Sequence, residues 1–88
     1  MITRKDVAKK LSEYLQHRLT LEDLVDWAER ALMEEELEES EAGTLREILA
    51  RLGAADVRAF ALTWEDCEGF LKRLGYQVEV RVREVERV

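Results

Sequence analysis

Ile2-Thr3-Arg4-Lys5-Asp6-Val7, Leu19-Thr20-Leu21-Glu22-Asp23-Leu24 and Leu62-Thr63-Trp64-Glu65-Asp66-Cys67 repeat one grammar: apolar, Thr, two variable positions, Asp, apolar. A threonine so placed is a helix N-cap, its hydroxyl oxygen accepting from an orphan amide of the first turn. The aspartate three residues on falls at N3, where it complements the helix dipole and reaches back to the cap amide, a capping box with Asp in place of Glu. The flanking apolar residues occupy N′ and N4, the two ends of a hydrophobic staple. Thr44-Leu45-Arg46-Glu47-Ile48 reads as a fourth copy, with Glu at N3 but Gly43 at N′ and hence no staple. These threonines are expected as caps rather than as nucleophiles.

Working outward, Gly53 and Gly75 follow Leu52 and Leu74, where a glycine can take the left-handed conformation that stops a helix. Starts and stops together predict helices near 4–17, 21–38, 45–52 and 64–74. Apolar residues recur at helical spacing in each: Val7, Leu11, Tyr14 and Leu15; Leu21, Leu24, Val25, Ala28 and Leu32, widened by Trp27 and Ala31; Leu45, Ile48, Leu49 and Leu52; Trp64, Cys67, Phe70, Leu71 and Leu74. Then the period changes. Tyr76-Gln77-Val78-Glu79-Val80-Arg81-Val82-Arg83 alternates apolar and polar residues, which predicts a C-terminal strand over 76–83. A lone strand leaves its backbone groups unsatisfied, so it needs a neighbour. One neighbour is a short strand over 57–62, making a β-α-β unit with the last helix as crossover. Another is the same segment of a second chain, giving a homodimer. Antiparallel pairing with 57–62 and a frayed, unpaired tail are the remaining alternatives. The expected fold class is mainly α with a small β element, an α+β single domain over 1–88.

Length and composition bound the function. Eighty-eight residues make one domain with a modest core, and 47% hydrophobic content argues for folding despite 39% charge. No apolar run approaches the roughly 20 residues of a membrane span, and the N-terminus lacks the apolar core of a signal peptide. The one cysteine, Cys67, has no internal disulfide partner, so the expected compartment is the cytoplasm. A net charge of -6 disfavours nucleic acid as a partner.

Catalytic and metal chemistry find no pattern. His17, the only histidine, has Glu13 four residues before it, but two ligands are too few for a metal. Cys67 at an N4 position reads as a small buried hydrophobe, although a helix N-terminus can depress a thiol pKa. The four glycines are scattered singly, so no phosphate loop exists. The expectation is therefore a protein that is not an enzyme, with no cofactor and no metal.

Charge is the one functional pointer. Residues 1–18 carry five basic and two acidic side chains, 19–50 two basic and eleven acidic, and 51–88 seven of each. The peak, Glu34-Glu35-Glu36-Leu37-Glu38-Glu39-Ser40-Glu41, holds six acids in eight residues. The bland reading is a solvated face that aids solubility. The sharper one is a docking surface for a basic protein partner through Asp26, Glu29, Glu34, Glu35, Glu38 and Glu39, where concentrated negative potential speeds association. The basic cluster Arg4, Lys5, Lys9 and Lys10 could pair with the acidic helix of the same or a second chain, an electrostatic reason for dimer formation.

Leu19-Thr20-Leu21-Glu22-Asp23-Leu24-Val25-Asp26-Trp27-Ala28 resembles a segment of small bacterial immunity proteins of the colicin and contact-dependent-inhibition type. Ala59-Phe60-Ala61-Leu62-Thr63-Trp64-Glu65-Asp66-Cys67 is similar to part of a family of short uncharacterised bacterial proteins. Together the two stretches cover about a fifth of the chain, and the first motif is largely capping grammar. The resemblance implies an acidic helical protein that blocks a basic toxin domain, with the second helix as the contact.

Overall fold

A computed structural model describes residues 1–34, 36–55 and 61–86, with the backbone alone at Glu34. Four helices carry the body: α1 (Arg4–Leu15), α2 (Leu21–Glu34), α3 (Ala42–Gly53) and α4 (Trp64–Arg73). Two of the capping boxes close in both directions. Thr3 Oγ1 accepts from the Asp6 amide at 3.3 Å while the Thr3 amide donates to Asp6 Oδ2 at 2.8 Å. The Thr63 and Asp66 pair repeats this with 3.0 Å in each direction. Thr20 caps α2 through its hydroxyl oxygen, which accepts from the Asp23 amide at 3.1 Å.

The fourth start differs. A 3-10 turn at Glu39–Glu41 already winds the chain, so α3 begins at Ala42 and Thr44 lies inside its first turn instead of capping it. The N-cap is Glu41, which makes no side-chain cap bond.

Helix ends also moved. The stop expected at residue 17 comes at Leu15, and the chain leaves through a Schellman turn: the His17 amide donates to the Tyr14 carbonyl, and the Arg18 amide to that of Glu13. His17 holds φ 62°, the place where a glycine is usual. The same two bonds end α4, from Gly75 to Lys72 and from Tyr76 to Leu71, and there glycine does occupy the left-handed position, at φ 92°.

Helix α2 stops at Glu34, four residues before the expected end. Consecutive acids at a helix C-terminus face the negative end of the dipole. The isolated apolar residue among them, Leu37, forms a parallel bridge with Ile2 instead: the Ile2 amide donates to Glu36 at 2.6 Å, and the Glu38 amide to Ile2 at 2.8 Å. Leu37 thereby packs against the core that Ile2 joins.

That core is one cluster. Val7, Ala8 and Leu11 of α1 meet Leu24, Ala28 and Ala31 of α2, Leu45, Ile48, Leu49 and Leu52 of α3, and Cys67 and Leu71 of α4 with Leu74 after it. Helices α2 and α3 form the most extensive pair. At Gly53 an added Cβ would stand 3.3 Å from Glu29 Cγ, so the two helices approach closely there.

The expected β element is absent among the described residues. The segment 76–86 carries neither helix nor strand pairing. Tyr76 and Val78 still pack on the core, whereas Val80, Val82 and Val85 are 66%, 92% and 64% exposed. The partner strand expected over 57–62 lies largely outside the described residues, and Ala61 and Leu62 carry no strand. Without a ladder partner an alternating segment has nothing to make it a strand. The radius of gyration, 14.1 Å, exceeds the about 12 Å of a compact chain this long, in keeping with a tail that leaves the body.

Candidate interaction surfaces

The six acidic positions do not share one helix face. Asp26 and Glu29 are exposed on α2. Glu38 and Glu39 lie beyond the bridge to Ile2, Glu39 in the 3-10 turn and Glu38 half-buried with an oxygen accepting from Ser40 Oγ at 3.4 Å. Glu34 is the last residue of α2, and Glu35 lies outside the described residues. The described acids thus fall in two short stretches, one on α2 and one beyond the bridge to Ile2. Described ion pairs use other acids: Arg51 with Asp66 at 3.5 Å, Arg73 with Glu47, and Arg81 with Glu79 at 3.7 Å. Asp26, Glu29, Glu38 and Glu39 take part in none of them.

Two members of the basic cluster of α1, Arg4 and Lys10, meet groups other than acids. Arg4 Nη1 donates to the Leu74 carbonyl at 3.1 Å, and its guanidinium stands 5.6 Å from the centre of the Tyr76 ring. A cation there satisfies an orphan carbonyl at the negative end of α4 and holds the start of the tail. Lys10 Nζ lies 5.7 Å from the centre of the Trp27 ring. Lys5 and Lys9 instead line a cleft of about 590 Å³ between α1, α4 and the tail, with Leu15, Trp64, Tyr76 and Val78. A second cleft, of similar size, continues past Trp64 and Leu15 to Leu19, Leu62 and Thr63. Trp64, expected on the apolar stripe of its helix, is 42% exposed because it begins α4 at the rim where the two clefts meet.

Reactive chemistry is poorly served by the titratable groups. Cys67 is buried, and that burial, aided by the negative charge of Asp66, pushes its thiol up to about 11. A thiol so placed stays protonated near neutral pH, which suits packing and not nucleophilic attack. Asp66 is held below the ordinary carboxylate range, chiefly because the Thr63 amide donates to it, with the Thr63 hydroxyl and Arg51 adding to the effect against some desolvation. Its role is the cap. His17 is exposed on the turn after α1, and among the described residues no group of three His, Cys, Asp or Glu side chains could hold a metal ion.

No protein-family model, curated protein or solved structure matches this chain. Among the described residues, no helix is long and apolar enough to cross a membrane.

Proposed function

We propose that this protein is a non-enzymatic protein-interaction module that presents uncompensated negative charge to a basic protein partner, acting as an immunity- or antitoxin-like inhibitor. The observation that carries the reading is the unequal use of acids. Asp66, Glu47 and Glu79 are matched by the chain's own arginines, while among the described residues Asp26, Glu29 and Glu39 are exposed and, with the half-buried Glu38, enter none of these ion pairs. Exposed pairs contribute little to stability, so the consequence of the imbalance is a local field and not a weaker fold. Such a field raises the association rate with a complementary surface and is screened by salt. The bridge between Ile2 and Leu37 fixes the second acidic patch to the body, which lowers the ordering cost of docking. The protonated, buried Cys67 supports a structural role for that thiol and fits a reducing compartment such as the cytoplasm.

A native-source pull-down with the full chain tests this, run beside a variant carrying Lys at Asp26, Glu29, Glu38 and Glu39. Capture of a basic protein by the wild type, loss of it in the variant and elution by moderate salt are the expected results. Equal capture by both chains contradicts the reading.

A further inference from the structure

The tail has the side-chain order of a strand and, among the described residues, no strand to pair with. Glu79 and Arg81 form an ion pair at 3.7 Å, which places them on one face of the segment; Val78, Val80 and Val82 alternate with them. Val78 rests on the core, but Val80 and Val82 are exposed, Val82 almost entirely. We propose that residues 78–82 pair with the same residues of a second copy of this chain, in an antiparallel ribbon centred on Val80 that lies along the cleft between α1 and α4.

Register selects this arrangement. With Val80 opposite Val80, Val78 meets Val82 and Glu79 meets Arg81, each twice by symmetry. Sliding by one residue sets charges opposite valines. A slide of two brings Glu79 against Glu79 or Arg81 against Arg81, and parallel pairing in register does both. Only the arrangement centred on Val80 matches the valines and both signs of charge. Continued past Val82, the second copy runs beside Gln77 and Tyr76, so that Glu84 approaches the cleft wall that holds Lys5 and Lys9. A two-stranded ribbon alone is marginal in water, and the cleft supplies the apolar wall it lacks, from Leu15, Trp64 and Tyr76. This pairing is independent of the acidic patches on α2 and the 3-10 turn.

Sedimentation equilibrium and oxidative cross-linking of the full chain test it together. The wild type is expected to form a dimer as concentration rises. Arg81→Glu sets four acids along the ribbon and weakens the dimer about tenfold, and the exchange Glu79→Arg with Arg81→Glu restores it. Directly opposed residues lie within reach of a disulfide, so Val80→Cys links two chains readily. Val82→Cys does so only when mixed with Val78→Cys, because two copies of residue 82 stand about 13 Å apart along the ribbon. Circular dichroism checks that each variant keeps its helices, as expected for changes in the exposed tail. A wild type that stays monomeric at every concentration overturns the proposal. So does Val82→Cys alone linking as fast as Val80→Cys, or a charge exchange that fails to restore the dimer.

Discussion

Helices α2 and α3 and the tail after α4 both display periodic apolar residues, yet one region is closed and the other open. Along α2 and α3, Leu24, Ala28 and Ala31 meet Ile48, Leu49 and Leu52 at no more than 2% exposure. Along the tail, Val80 and Val82 have the same regularity at period two and stay 66% and 92% exposed. A helix satisfies its own backbone and needs only an apolar surface to lie on, which the same chain supplies. A strand needs another strand, and among the described residues none is offered. Periodicity therefore specifies which face will be buried, and the chain topology decides whether it is buried within one molecule.

The sharpest contrast is truncation in each region. Leu49→Ala should cost about 3 kcal/mol in equilibrium denaturation, the usual toll of a cavity in a closed core. Val82→Ala should leave the midpoint of the monomer unchanged; a comparable loss there would mean that the tail is packed after all. Second in size is Gly75→Ala. It forces φ 92° on an L-residue with the new Cβ 3.1 Å from Arg4 Nη1, and should cost about 1–2 kcal/mol by loosening the hinge from which the tail departs. Third, Thr3→Ala and Thr63→Ala should each cost about 1 kcal/mol, whereas Thr44→Ala should be neutral or raise stability by a few tenths of a kcal/mol. The sign difference separates a threonine that caps from one that merely sits in a helix.

The smallest effect is in the acid limb. Because the folded-state pKa of Asp66 is depressed, its cap contributes stability above the ordinary carboxylate pKa and loses it as pH falls through the lowered value. Asp66→Asn should therefore lower stability at neutral pH and flatten its decline in acid. An unchanged acid slope would show that the cap does not depend on charge.

These differences also mark how much of the structure is readable in the sequence. Capping is local, so Thr3, Thr20 and Thr63 announce their helices within six residues each. The glycine stop at Gly75 is equally local, but at the end of α1 the same hydrogen-bonded turn uses His17, a residue that gives no such announcement. The early end of α2 depends on a bridge between Ile2 and Leu37, two residues far apart in the chain. Its one trace is a single leucine among six acids. The acidic site expected from the sequence needs one continuous helix through residue 38, but Glu38 and Glu39 lie beyond the bridge to Ile2 and outside α2. The basic residues of α1 were legible as a cluster, but their partners, a carbonyl at the end of α4 and two aromatic rings, are fixed by packing. The cleft beside Trp64 is likewise a product of how α1, α4 and the tail come together.

Amide hydrogen exchange at two protein concentrations tests the central contrast most directly. In dilute solution the amides of Leu49 and Leu52 should exchange only through large-scale opening, while those of residues 79–86 exchange at the rate of an unfolded peptide. At high concentration, protection should appear at alternate amides around Val80 and leave the helix amides as they were. Protection of the tail that is already present in dilute solution, or a tail unprotected at every concentration, would contradict the account.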